Sequence, residues 1–199
     1  MRIKRKRMGE KEKKLGELKR IANEIKRCKK CKLWRTRKKA VPGEGSPNAR
    51  LFFIGEAPGA VEDKTGRPFV GESGKLLTKI LKANGIGREK VFITSCLKCK
   101  PPKNRKPKED ELRKCKSFLL KQISIIKPKI IVLLGYTAIK NLIGDKDKMR
   151  LKEMHGKLVK KEGKNYFITY HPAAGRRFPP IRKTIENDFS KLKLYLKNL

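Results

Sequence analysis

Glutamine occurs once in the sequence, at Gln122, and histidine twice, at His155 and His171. Acidic residues are also scarce, 19 against 55 lysines and arginines, which leaves a net charge of +36 over 199 residues. No apolar run approaches the ~20 residues that a membrane-spanning helix needs. The opening MRIKRKRMGEKEKK lacks the apolar core of a secretory signal. These absences argue against a membrane-spanning helix and lead us to expect a soluble, intracellular protein. Neither GxGxxG nor the GxxxxGK(S/T) phosphate loop is present, so the common nucleotide-binding fingerprints are excluded too. There is no internal repeat.

What is abundant is positive charge. Repulsion on this scale destabilises a compact chain, and a polyanionic partner is the usual compensation: phosphates neutralised by lysine and arginine release counterions on binding. A thermophile surface is the other source of such a composition, but it normally raises glutamate beside lysine, and here only the positive side rises. Nucleic acid is the partner the composition favours.

The length suits one well-buried core. Residues 1–9 read as a basic, disordered tail, and residues 10–199 as a single domain. Leu15, Leu18, Ile21 and Ile25 form a helical stripe ending at Cys28. Short apolar runs at 51–55, 91–94, 129–135, 157–160 and 166–170 read as strands, the last two around a turn at Glu162-Gly163. Helices are expected over 73–83, with Ser73 as cap, over 108–127, over the stretch YTAIKNLIG, and over 181–198. Strands alternating with helices predict a three-layer α/β/α fold around a mainly parallel, four-stranded sheet.

In such a fold the working residues stand in loops beyond the carboxyl ends of strands. Three loops qualify: GEAPGAVEDKTGRPFVG, SCLKCKPP and HPAAGRRFPP. The first offers Glu56, able to orient a water molecule, and Phe69, able to stack on a planar base. The last offers His171 beside two small alanines, then Arg176, Arg177 and Phe178. That basic stretch with one apolar tip suits wedging into a DNA groove. His155, next to a glycine in a turn, reads as structural. Together the loops suit an enzyme that turns a base out of the stack.

Five cysteines, Cys28, Cys31, Cys96, Cys99 and Cys115, fit poorly with an all-disulfide framework and favour metal or cluster ligation. Spacing alone pairs Cys96 with Cys99 and matches a zinc site of two C-x2-C pairs. The long gap and the additional Cys115 argue against zinc without excluding it. Four thiolates also suit an iron–sulfur cluster.

GEAPGAVEDKTGRPFVGESGKLL, KCKPPKNRKP and YHPAA, in that order, resemble the iron–sulfur uracil-DNA glycosylases of the thermostable family 4 group, over roughly residues 15 to 198. The resemblance implies a monofunctional enzyme that flips uracil out of single- or double-stranded DNA and hydrolyses its bond to deoxyribose, starting base-excision repair. It implies a monomeric, cytoplasmic prokaryotic protein working at the nucleoid. No sliding-clamp peptide is legible. It further implies a structural 4Fe-4S cluster on Cys28, Cys31, Cys99 and Cys115, with Cys96 left over.

By the same likeness, His171 would hydrogen-bond the uracil carbonyl beside the breaking bond and Glu56 would position water. Gly55 and Ala57 would line the pocket, Phe69 would stack on the base, and Glu62 would crowd out thymine's methyl. Ser95 stands where many members carry asparagine. A hydroxyl is shorter and lacks the amide's paired donor and acceptor. The competing expectation is a non-catalytic iron–sulfur, or zinc-stapled, nucleic-acid-binding protein.

Overall fold

The computed structural model of the protein describes residues 2–144 and 151–199, with side chains in the first helix from residue 9 onward. Six strands form one sheet: β1 Glu44–Gly45, β2 Leu51–Gly55, β3 Phe92–Ser95, β4 Ile130–Leu134, β5 Leu158–Lys161 and β6 Lys164–Thr169. Their order is β1-β3-β2-β4-β6-β5. The inner four, β3-β2-β4-β6, are parallel. β1 and β5 lie antiparallel along the two edges.

The expected four-stranded sheet is therefore the parallel centre of a mixed six-stranded one. β1 escaped the sequence reading because two residues carry no periodicity. β5 pairs with β6 across the anticipated turn at Glu162-Gly163, where both residues have positive φ.

The helices are α1 Arg2–Arg27, α2 Ala60–Thr65, α3 Glu72–Ala83, α4 Glu109–Ile126, α5 Tyr136–Leu142, α6 Leu151–Met154, α7 Pro172–Arg177 and α8 Pro179–Lys197. α1 starts at Arg2, across the boundary at residue 10 that the sequence suggested, and the side chains of residues 1–8 lie outside the described set. Ser73, the expected cap of α3, is its second residue, and Gly71 occupies the cap position instead.

The two strands richest in apolar residues, β2 and β4, are buried throughout. Alternate residues feed opposite faces. Phe52, Ile54, Ile131 and Leu133 pack with Leu119 and Ile123 of α4 and with α5. Leu51, Phe53, Val132 and Leu134 pack against Leu77 and Ile80 of α3 and Phe189 of α8. Each such side chain contributes about 1.5–3 kcal/mol by burial. α1 joins the first layer by packing Ile21 and Ile25 against Phe118 of α4.

Glu111 locks the start of α4. It accepts from the Lys108 amide at 2.9 Å, and both its oxygens take the Arg105 guanidinium, at 2.9 and 2.6 Å. The guanidinium holds the Glu111 carboxyl below the usual carboxylate range. The segment that follows Cys99 is thereby tied to the helix that carries Cys115.

Among the parallel strands β2 comes first in the chain, with β3 on one side of it and β4 on the other. The sheet thus reverses direction of growth between β2 and β4, and the crevice beyond their carboxyl ends is where ligands of such sheets bind.

The loop leading into that crevice is tightly constrained. Phe69 adopts φ +49°, a left-handed conformation unusual for a bulky residue. Arg88 donates to the Pro68 carbonyl at 2.7 Å, while Glu44 accepts from both Arg67 and Arg88. A β-carbon on Gly74 would stand 2.0 Å from the Phe69 carbonyl, so α3 can lie against this loop only because residue 74 is glycine. Gly74→Ala is expected to cost about 1–3 kcal/mol through overpacking, read as a lower denaturation midpoint. An unchanged midpoint would show that the loop is not wedged there.

Candidate active site and cysteine cavity

β2 ends at Gly55, and two rings meet over that residue. A β-carbon there would fall 2.5 Å from Phe69 Cζ and 3.3 Å from His171 Nε2. The Phe69 and His171 rings are 5.5 Å apart between centroids and inclined by 36°. Gly135, beyond the end of β4 and at φ +86°, leaves equivalent room behind His171: a β-carbon there would lie 3.1 Å from His171 Cβ. Glycine at the ends of β2 and β4 is what lets an imidazole sit in the crevice between them.

His171 is the N-cap residue of α7 and Pro172 begins the helix, a suitable place for a residue with no amide proton. The His171 Nδ1 lone pair accepts the Ala173 amide at 3.1 Å. The neutral ring therefore carries its proton on Nε2, the nitrogen beside Gly55. Burial pushes the imidazole down to about 4, opposed only by the Glu62 carboxylate. At neutral pH the group is a fixed, uncharged hydrogen-bond donor.

Two cavities share His171 and Ala57. One is lined by Phe69, Glu62, Ser95, Val41 and Arg176. The other is lined by Glu56, Thr137, Tyr136, Lys106 and Lys140. The sequence-predicted residues Glu56, Ala57, Glu62, Phe69, Ser95 and His171 are thus brought together around Gly55.

Ser95 pairs with Gly55 across the β2–β3 ladder and is buried. Glu62 lines the first cavity, yet its oxygens accept from the amides of Gly59 at 3.1 Å, Val70 at 3.0 Å and Gly71 at 2.8 Å. Its carboxylate fastens the Phe69 loop to α2. Arg176 and Arg177 form the last turn of α7 rather than a loop, and Phe178 projects beyond them, half exposed.

Thr137 was missed by the sequence reading. Its hydroxyl donates to the Glu56 carboxylate and bridges the crevice from β4 to β2. The signal was available: GYT follows a buried strand, so the rule that nominated three loops nominates this fourth one as well. His155 lies away from this site, with Nδ1 3.0 Å from Asp188 Oδ1, and Asp188 in turn accepts from Thr169.

Cys28, Cys31, Cys99 and Cys115 line one cavity between α1 and α4, walled by Ile25, Trp34 and Phe118. Cys96 is not among them. It is fully buried in the core beneath β3, and burial pushes its thiol up to about 12. The arrangement departs from the Cys96–Cys99 pairing that spacing alone suggests and keeps Cys96 apart, as the resemblance implies. Among the described residues, no three cysteine, histidine or acidic side chains converge closely enough to share one ion.

Arg37 donates to Cys99 Sγ at 3.0 Å and to the Lys26 carbonyl at 2.6 Å, joining the end of α1 to the cavity. Burial raises the Cys31 and Cys99 thiols and pushes Cys115 up to about 11. These thiols ionise only when an added positive charge replaces the lost hydration. Among the described residues, no helix is long and apolar enough to cross a membrane.

The uracil DNA glycosylase superfamily matches over residues 42–192. The chain is 48% identical to a type-4 uracil-DNA glycosylase of Sulfurisphaera tokodaii, over 83% of this chain and 79% of that protein. It is 42% identical to the type-4 enzyme of Archaeoglobus fulgidus, over 83% and 86%. With the Thermotoga maritima enzyme it shares 42% identity, over 86% and 91%.

The depressed His171 basicity sets a pH dependence. The folded chain keeps the ring neutral while the unfolded chain protonates it near 6.5. Stability held above that pH is therefore lost as pH falls toward about 4. His171→Phe is expected to flatten the denaturation midpoint over this window, measured from pH 7 to 4. Parallel curves would show that the ring is not desolvated.

Proposed function

The chain belongs to the uracil DNA glycosylase superfamily, among its type-4 members, and from that premise we propose that it excises uracil from DNA by hydrolysis of the N-glycosidic bond. The observation that carries this reading is the neutral His171 Nε2–H beside Phe69, over a strand end with no side chain.

A uracil turned out of the strand would stack on Phe69, with its polar edge toward Ser95. As the bond from the sugar carbon to the base breaks, its electron pair leaves with uracil and positive charge grows on the sugar. An uncharged donor fixed where the base oxygen becomes anionic stabilises the transition state more than the ground state. The Ala173 amide holds the ring so that this donor need not reorganise.

Glu56, pinned by Thr137 on the opposite side of His171, would hold the water that adds to the sugar carbon, and its carboxylate would steady the cationic sugar. The proton released by water neutralises the departing uracil anion, so the reaction consumes one water and no other reagent. Arg176 and Arg177 would grip phosphate while Phe178 fills the space left by the flipped base.

Cys28, Cys31, Cys99 and Cys115 would hold a 4Fe-4S cluster. Four thiols lining one cavity beside basic side chains suit a group whose ligands attach to different irons and which carries net negative charge. When bound, it would supply a cross-link between α1, the loop of Cys99 and α4.

Incubation with a uracil-containing oligonucleotide, followed by alkali, is expected to cleave the strand at uracil, and His171→Ala to lower the rate at least about 100-fold. Binding without release of uracil would favour the non-catalytic reading instead, which neither the pocket nor the type-4 relatives favour. Thr137→Val is expected to lower kcat with little change in KM, because it frees Glu56 rather than the base. Ser95→Asn is expected to keep or raise uracil excision, and a large loss would show that Ser95 does not face the base.

A further inference from the structure

Lys98 is 1% exposed, and among the described residues it has no carboxylate within ion-pair distance. Its Nζ donates to Thr94 Oγ1 and to Gln122 Oε1, the latter at 2.9 Å. A buried ammonium without an anion is costly. Sulfurs are at hand to supply one: Lys98 lines the cavity of Cys28, Cys31, Cys99 and Cys115. That cavity is also lined by Lys30, Arg37 and Lys114 and by no acidic residue. A tetrathiolate-bound cluster carries net negative charge and complements that wall.

Lys98 is also linked to the wall of the base cavity. Its carbonyl accepts from the Val41 amide at 2.8 Å. Its two side-chain partners both reach the next residue: Gln122 Nε2 and Thr94 Oγ1 each donate to the Pro42 carbonyl at 2.9 Å. Val41 lines the cavity that holds Phe69, Ser95 and His171. Gly43, at φ +117°, closes against Thr94, so the segment has no slack on its far side.

We propose that Lys98 is a positioning residue with two tasks, serving as buried counter-cation of the thiolate-held group and bracing, through Thr94 and Gln122, the Val41–Pro42 wall of the base cavity. The chain's single glutamine is then explained by the brace: its amide accepts from the ammonium and donates to a carbonyl at once, which glutamate could not do. The inference rests on the cluster reading above.

The test compares the intact protein with Lys98→Met and Gln122→Leu, measuring visible absorption, cluster reduction potential by voltammetry, and inhibition by free uracil. Lys98→Met is expected to lower the potential, since removing a nearby cation disfavours the added electron, and to raise the uracil inhibition constant at least about fivefold. Gln122→Leu keeps the cation, so it is expected to leave the potential unchanged while weakening uracil by a similar factor.

An unchanged potential in a loaded Lys98→Met protein overturns the counter-cation role. An unchanged uracil constant in Gln122→Leu overturns the brace. A Lys98→Met protein that folds, by circular dichroism, but retains less iron than Gln122→Leu supports the counter-cation. A colourless parent protein defeats the cluster reading itself, which separates that failure from failure of the inference.

Discussion

The site depends on a missing side chain. At Gly55 the strand end offers only backbone, and the Phe69 ring and the His171 imidazole fill the space a β-carbon would take. Everything around this approach serves to hold the two rings against it. Gly74 admits the strained Phe69 backbone, Glu62 and Arg88 tie down its loop, and Gly135 makes room behind the imidazole. A donor that must be neutral and correctly aimed before the substrate arrives requires this degree of restraint, because reorganisation during the reaction would forfeit its advantage.

The second constraint is charge. A net charge of +36 strains a compact chain, and the sheet core alone does not secure the basic segments around it. The cysteine cavity lies where α1 meets α4 through a small apolar cluster. In the proposed reading a cluster held by the four sulfurs would cross-link that junction, and the thiolate charge it brings would offset local lysines and arginines. The surplus that remains outside faces solvent, where phosphate can use it.

Much of the fold was legible because β2 and β4 are apolar at every position and α4 starts with three acids. Their order predicted the crevice, and the crevice nominated Glu56, Phe69 and His171. The edge strand β1 was invisible, since its pairing is set by Gly45 lying against the Val91 carbonyl rather than by any pattern. Spacing alone left the choice between Cys96 and Cys115 open, and the family resemblance set Cys96 aside; the structure buries Cys96 in the core and has Cys115 line the cavity. Thr137 was overlooked because it stands in the first turn of α5, a stretch read only as a helix. Glu62 shows the opposite problem, a residue in the right place whose oxygens are occupied by backbone amides.

The account's central claim, an uncharged imidazole aimed at the leaving base, is best tested by nitrogen NMR of the two histidines with free uracil added at pH 7. It predicts that His171 is neutral with its proton on Nε2, and that uracil shifts this signal while leaving His155 unmoved. An imidazolium at His171, or a proton on Nδ1, would contradict it.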